Sequence, residues 1–241
     1  MQGAYSHLAP MVDTDAYLHW LMRQVEGSGC TVRHGRVAGD LREEESRLLA
    51  EFGVDAVVNC TGLGALELTD DRIYPLRGAL VRVHNDGRAH PPVTGAHCMT
   101  YQGARGEQDI VFIVPRGRDM LLLGGLVEPH EWDLGIGLDT YQPVRQMFER
   151  CVAFLPVLEN ARIDAREPVR AGLRPFREDG VRVEREPGSH TVHNYGHGGS
   201  GVTFSWGCAA EVVTLVEEVV GGGPAGAQPR PDQPVALSPV A

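Results

Sequence analysis

Three places in this 241-residue sequence combine residue types and spacing that could do chemistry. The first is the run His190-Thr191-Val192-His193-Asn194-Tyr195-Gly196-His197-Gly198-Gly199-Ser200-Gly201-Val202-Thr203-Phe204-Ser205-Trp206. A β-prone segment over residues 191–195 feeds a glycine-rich turn. A helical pattern then starts at about Gly201 and puts Val202, Ala209, Val212, Val213 and Val216 on or near one face. Strand, glycine turn and helix start together make an anion site: glycines admit a ligand close to the backbone, and the first free N–H groups point at it. The group expected there is negative or becomes negative. The text pattern Gly-x-Gly-x-x-Gly over residues 196–201 lacks the second strand and ribose-binding acid of a dinucleotide fingerprint, because only a tail follows the helix end near Val220. A glycine-rich turn with no ligand is the plainer alternative.

The second place is a short buried strand over residues 54–59 that runs straight into Cys60-Thr61-Gly62-Leu63-Gly64. A strand ending in a small polar turn is where α/β proteins place ligands, a plain strand-to-loop turn being the alternative. The third is Arg174, within Gly172-Leu173-Arg174-Pro175. The sequence has no lysine, so all 22 cationic side chains are arginine. That excludes a lysine Schiff base and a Walker A loop, and leaves arginine or backbone N–H groups to hold any substrate anion. His190, His193 and His197 stand close together, but their turn is glycine-rich and no carboxylate is placed to join them, so no metal is expected. His84, His90 and His97 fall in loop-like sequence and are expected at the surface.

The elements around these residues follow from periodicity. Asp13 or Thr14 can cap a helix that places Tyr17, Leu18, Leu21, Met22 and Val25 at helical spacing. Residues 31–37 read as a strand and residues 43–52 as a second helix. Residues 80–83, 110–114 and 120–123 read as strands, the last two joined by a hairpin turn at Gly117. Residues 139–155 form an amphipathic helix, with further strands at 163–169 and 181–183. The Gly/Pro/Ala-rich tail over residues 221–241 is expected to be disordered. The pattern is α/β (α+β mixed), with a strand-rich middle third.

Composition narrows the class. The chain is 42% hydrophobic and 22% charged, as in soluble globular proteins. Its net charge of −10 argues against nucleic acid or an anionic membrane as partner, and no stretch reaches the roughly 20 apolar residues of a membrane span. Five widely spaced cysteines, at 30, 60, 98, 151 and 208, contain no Cys-x-x-Cys, which fits a reducing cytoplasm better than a disulfide framework or zinc site.

Three islands in their order resemble the D-amino-acid oxidase family of flavoproteins. They are Val57-Val58-Asn59-Cys60-Thr61-Gly62, then Gly172-Leu173-Arg174-Pro175, then His193-Asn194-Tyr195-Gly196-His197-Gly198-Gly199 with Gly201, Thr203 and Trp206-Gly207. Arg77-Gly78, and Gly124-Gly125 followed by Trp132, are weaker matches. The resemblance implies FAD as cofactor, held at Val37, at Cys60, Thr61 and Gly62, and at Gly198, Gly199, Ser200, Gly201, Val202 and Thr203. It implies a partial FAD-binding domain over residues 1–75 and 186–220, interleaved with a mostly antiparallel substrate-binding sheet domain over residues 76–185.

The same resemblance implies that Arg174 grips a substrate carboxylate and that the Gly199 carbonyl meets the substrate amine. The implied reaction is oxidative deamination of a D-amino acid: hydride transfer from Cα–H to flavin N5, reoxidation by oxygen to hydrogen peroxide, and hydrolysis to keto acid and ammonia. The sequence departs from the family twice. The ADP-binding βαβ unit that normally precedes this region is absent, so the chain is expected to bind FAD weakly or not at all and to expose apolar surface. Phe112 stands where the family has a tyrosine that also touches the carboxylate, which removes a hydrogen bond; Tyr101 could reach in from the preceding loop. A flavoenzyme acting on a bulkier amine or amino-acid derivative, and a non-catalytic fragment, are the alternatives. Oligomeric state is not legible.

Overall fold

The structure, a computed structural model, describes residues 3–69, 72–102 and 108–221. Residues 222–241 of the expected tail lie outside the described residues. In chain order the elements are α1 (Thr14–Gly27), α2 (Leu41–Phe52), β1 (Val57–Asn59), α3 (Ala65–Leu68), β2 (Ile73–His84), β3 (His97–Gln102), β4 (Gln108–Arg116), β5 (Met120–Gly124), β6 (Glu128–Pro129), α4 (Gln142–Phe154), β7 (Val169–Arg177), β8 (Arg182–Arg185), β9 (Thr191–Tyr195) and α5 (Gly201–Val220). They fall into two compact units, Met1–Arg36 with Tyr74–Arg174, and Val37–Ile73 with Pro175–Ala241.

The first unit is built on a sheet of order β3-β4-β5-β2-β6, with β7 also paired to β2. The ladders β3–β4, β4–β5, β2–β5 and β2–β6 are antiparallel. Burial alternates along β2: Ala79, Val81 and Val83 face the core, while Leu80 and Arg82 are half-buried on the other side, the period of two that a half-covered sheet demands. Val111, Ile113, Leu121 and Leu123 join that core. It is closed by Val144, Met147 and Cys151 of α4, whose spacing of three and four puts them on one stripe. Each such aliphatic side chain contributes roughly 1.5–3 kcal/mol on burial. Asp13 caps α1 by accepting from the N–H groups of Asp15 and Ala16.

In the second unit β1 runs parallel to β9, with Val57, Val58 and Asn59 opposite Thr191, Val192 and His193. β8 pairs antiparallel on the far side of β9. Val57 packs with Leu41, Leu48 and Leu68 on the α2 side. Val192 packs with Val212 and Val219 of α5 on the other. β9 is thus covered on both faces.

Several sequence expectations are corrected. Residues 31–37 form no strand, because no neighbouring strand offers them a ladder among the described residues. Residues 163–168 hold only the isolated bridge between Ile163 and Val83. The strand lies later, in β7, paired to β2; a proline is admitted where the ladder does not need its missing N–H. Residues 97–102 form β3, so Tyr101 stands in a strand opposite Asp109 rather than in a loop; the placement of its side chain lies outside what is described. His84 and His97 are strand residues, and His90 is buried, its ring nitrogens bonded to the carbonyls of Pro91 and His84. On α5 the buried stripe is Val212 and Val219 with Leu215 and Val216, while Val202 and Val213 are exposed.

Candidate functional site

In the first unit Arg174 comes from β7 and lies across β2. A Cβ at Gly78 would stand 2.1–2.3 Å from the Arg174 guanidinium atoms, so the side chain rests where only a glycine leaves room. The guanidinium makes a long hydrogen bond, 3.4 Å, to the Leu126 carbonyl. No carboxylate pairs with it among the described residues, and burial lowers its pKa from the ordinary arginine value. A desolvated cation without an anion invites one.

Register places Phe112 on the same sheet face. Leu80, Gly124 and Phe112 lie in line across β2, β5 and β4, and Gly78 is two residues from Leu80, hence on the same side. Phe112 is half-buried there. The neighbouring Arg77 points to the opposite face and belongs to the scaffold. It is 2% exposed, bonds Glu128 at 2.7 and 2.9 Å, and meets the Tyr141 hydroxyl at 2.9 Å and the Asp133 carbonyl at 2.6 Å.

In the second unit both ligand-type turns lie at the carboxyl ends of two adjacent parallel strands, β1 and β9. That end of a parallel pair is where open α/β sheets bind ligands. After β1 come Cys60, Thr61 and Gly62, the last with φ +57°. After β9 come Gly196 with φ +85° and Gly198 with φ +55°, values an L side chain adopts only under strain. Residues Gly198–Ser200 make a 3-10 turn leading into α5. The N-cap residue Ser200 supplies no side-chain cap, and the first turn of α5 carries no acid. Gly199, Val202 and Thr203 are exposed. Twenty residues of helix therefore present their positive end with no side-chain anion on it.

These features fit one edge of a flavin: open glycine backbone, uncapped N–H groups and a second small turn beside them. Val37 is half-buried and packs against the Leu41, Leu48 and Leu68 cluster. Burial lowers the His197 pKa below the usual imidazole value.

The histidine reading needs one correction. A carboxylate does reach His193, because the β8–β9 hairpin folds Glu186 back so that its Oε2 lies 2.9 Å from Nε2. Glu186 also pairs with Arg42 and, at 2.9 Å, with Arg182. His190 instead bonds the Asp55 carbonyl at 3.0 Å. Arg42, Thr69, Arg182, Glu186 and His193 line a cavity of about 270 Å³. The signal in the sequence was a polar residue alternating into a buried strand, seven positions after a Glu-Pro-Gly turn.

Residues 1–215 match the family model described as FAD dependent oxidoreductase, and the chain belongs to that family. It is 38% identical to a D-amino-acid oxidase of Rubrobacter xylanophilus over 218 residues, which is 89% of this chain and 60% of that protein. It is 34% identical to a human D-aspartate oxidase over 212 residues, 85% of this chain and 54% of that protein. The chain therefore spans 60% of the length of the bacterial relative. Among solved structures, an iminodiacetate oxidase from Chelativorans sp. BNC1 aligns with a TM-score of 0.59 at 18% identity, covering 90% of this chain and 57% of the other. A glycine oxidase from Bacillus cereus aligns at 0.54 and 17%, covering 71% and 44%. At those identities the likeness is one of fold.

Proposed function

We propose that this chain carries part of the machinery for FAD-dependent oxidation of a D-amino acid. The observation that carries the reading is Arg174, a partly buried guanidinium laid over Gly78 with no carboxylate partner among the described residues. Its two-pronged donor set suits the substrate carboxylate. The Gly199 carbonyl accepts from the substrate amine, and Phe112 supplies an apolar wall. The N–H groups at Gly198, Gly199, Ser200, Gly201, Val202 and Thr203 hold the cofactor edge, where the helix N-terminus favours negative charge by about 0.3–2 kcal/mol. Cys60, Thr61 and Gly62 form the second contact, and the Val37 backbone meets the adenine. When bound, FAD supplies the two-electron oxidation. Oxygen is the expected second substrate, with peroxide, keto acid and ammonia as products.

The purified chain titrated with FAD, then with a panel of D-amino acids under anaerobic conditions, tests this. The expected result is weak flavin uptake, bleaching of the oxidised flavin band by a D-amino acid, and a roughly 100-fold or greater loss of kcat/KM in Arg174→Ala as two charge-assisted hydrogen bonds go. A bound flavin that no D-amino acid reduces overturns the reading, and a chain that takes up no FAD overturns it for these residues alone. A second reading, a bulkier amine or amino-acid derivative as substrate, is favoured by Phe112 on the Arg174 face. A gain with simple D-amino acids in Phe112→Tyr would count against it.

A further inference from the structure

A polar chain on the strand pair β1–β9 runs from Thr61 inward through buried groups that have none of the roles above. The Thr61 N–H and Oγ lie 3.2 and 2.7 Å from Asn59 Oδ1. The other end of the Asn59 amide, Nδ2, is 3.3 Å from His193 Nδ1. His193 Nε2 is 2.9 Å from Glu186 Oε2. Asn59 and His193 are each 2% exposed.

Donor and acceptor chemistry leaves one proton order for this chain. A backbone N–H only donates, so the Asn59 atom facing Thr61 is the oxygen, and Nδ2 must face His193 as a donor. His193 Nδ1 therefore accepts, and Nε2 carries the proton toward Glu186. Glu186 is held as the charged acceptor by Arg42 and Arg182. Further groups stand around the ring and its cavity. Tyr195 meets it edge-on at 5.6 Å, with its hydroxyl taken up by Arg182 and Thr69, while Asp40 stands further round the same cavity. At the far end the single hydroxyl proton of Thr61 is spent on Asn59, which leaves Oγ with lone pairs only.

We propose that Glu186, His193 and Asn59 are positioning residues that fix the Thr61 hydroxyl as a hydrogen-bond acceptor toward a ligand donor, such as a ring N–H or a ribityl hydroxyl of the cofactor. The ligand half of this rests on the reading of the Cys60-Thr61-Gly62 turn as a cofactor contact; the proton order does not. The chain transmits direction: a carboxylate buried behind the sheet determines which way a surface hydroxyl faces.

The test needs no cofactor. In the full chain labelled with ¹⁵N-histidine, long-range ¹H–¹⁵N correlation reads the tautomer of His193. The expected signal is a protonated Nε2 and an unprotonated Nδ1. In Asn59→Asp, Nδ1 faces a carboxylate in place of a donor and takes up a second proton. In His193→Phe, the Asn59 amide loses its acceptor and amide exchange at Thr61 accelerates at least tenfold, while exchange in β2 is unchanged. A proton on Nδ1 in the unsubstituted chain overturns the proposal, and that measurement stands even where a variant does not fold. Unchanged Thr61 exchange in a folded His193→Phe overturns the coupling to Thr61. Failure of FAD uptake, by contrast, bears on the proposed function and leaves the proton order standing.

Discussion

At the scale of single residues, the most consequential neighbour of Arg174 is a residue with no side chain. Gly78 leaves the guanidinium its resting place, and a methyl group there would collide with three of its atoms. Because those atoms are the far end of a flexible side chain, Gly78→Ala should leave stability within about 1 kcal/mol of the parent and displace the Arg174 head. In the FAD-loaded protein this predicts a roughly 10–100-fold fall in kcat/KM for a D-amino acid with little change in thermal midpoint. Unchanged kinetics would show that Arg174 does not hold substrate from this position. Arg174 draws the eye in the sequence because Gly172-Leu173-Arg174-Pro175 sets it before a proline in a lysine-free chain. Gly78 was legible only as half of a short match, because the purpose of a missing Cβ shows only once the group it admits is in place. Glu186 was missed for a related reason: nothing in sequence spacing says that a hairpin returns a carboxylate to the ring of His193.

At the scale of elements, one carboxylate of α2 gathers the turn that leads into β9. Glu45 of α2 accepts hydrogen bonds from Ser189 Oγ, from the His190 N–H at 2.9 Å and from Thr191 Oγ at 2.6 Å. Burial raises its pKa, but these three donors and the nearby His190 outweigh that and bring it below the ordinary 4.5. A carboxylate with a depressed folded pKa adds stability that is complete above the unfolded value. That contribution fades as pH falls from about 4.5 through the folded pKa. Glu45→Gln should therefore cost about 1–2 kcal/mol near neutral pH and unfold with a shallower acid limb. Denaturant titrations at neutral pH and near pH 4 check both parts, and parallel curves for the two proteins would contradict the assignment. The helices α2, α4 and α5 were legible because their apolar periodicity is long. β3 and β7 were not, since short strands interrupted by glycine, proline or polar residues owe their existence to partners distant in sequence. The α5 stripe was read about one residue off, which rotated Val202 and Val213 out of the core and Val219 into it.

At the scale of the whole chain, the architecture depends on which distant strands meet. The parallel pair β1–β9 joins residues 134 positions apart, as between Asn59 and His193, and closing a flexible loop of that length costs about 4 kcal/mol of chain entropy. The strand that leaves this unit and the strand that returns to it, β2 and β7, are themselves paired, and the Glu178 N–H reaches the Arg72 carbonyl at 3.5 Å. Once the first sheet exists, the loop still to be closed shrinks to roughly 30 residues, two halvings that recover about 1.3 kcal/mol, or close to tenfold in rate. The meander should therefore form first. Pulse-labelled hydrogen exchange during refolding should find β2 and β5 protected before β1 and β9, and simultaneous protection would refute that order. The inserted sheet then serves as a splint: by drawing its own two ends together, it turns a long-range search into a short-range one and sets the pace at which the glycine turns come into being.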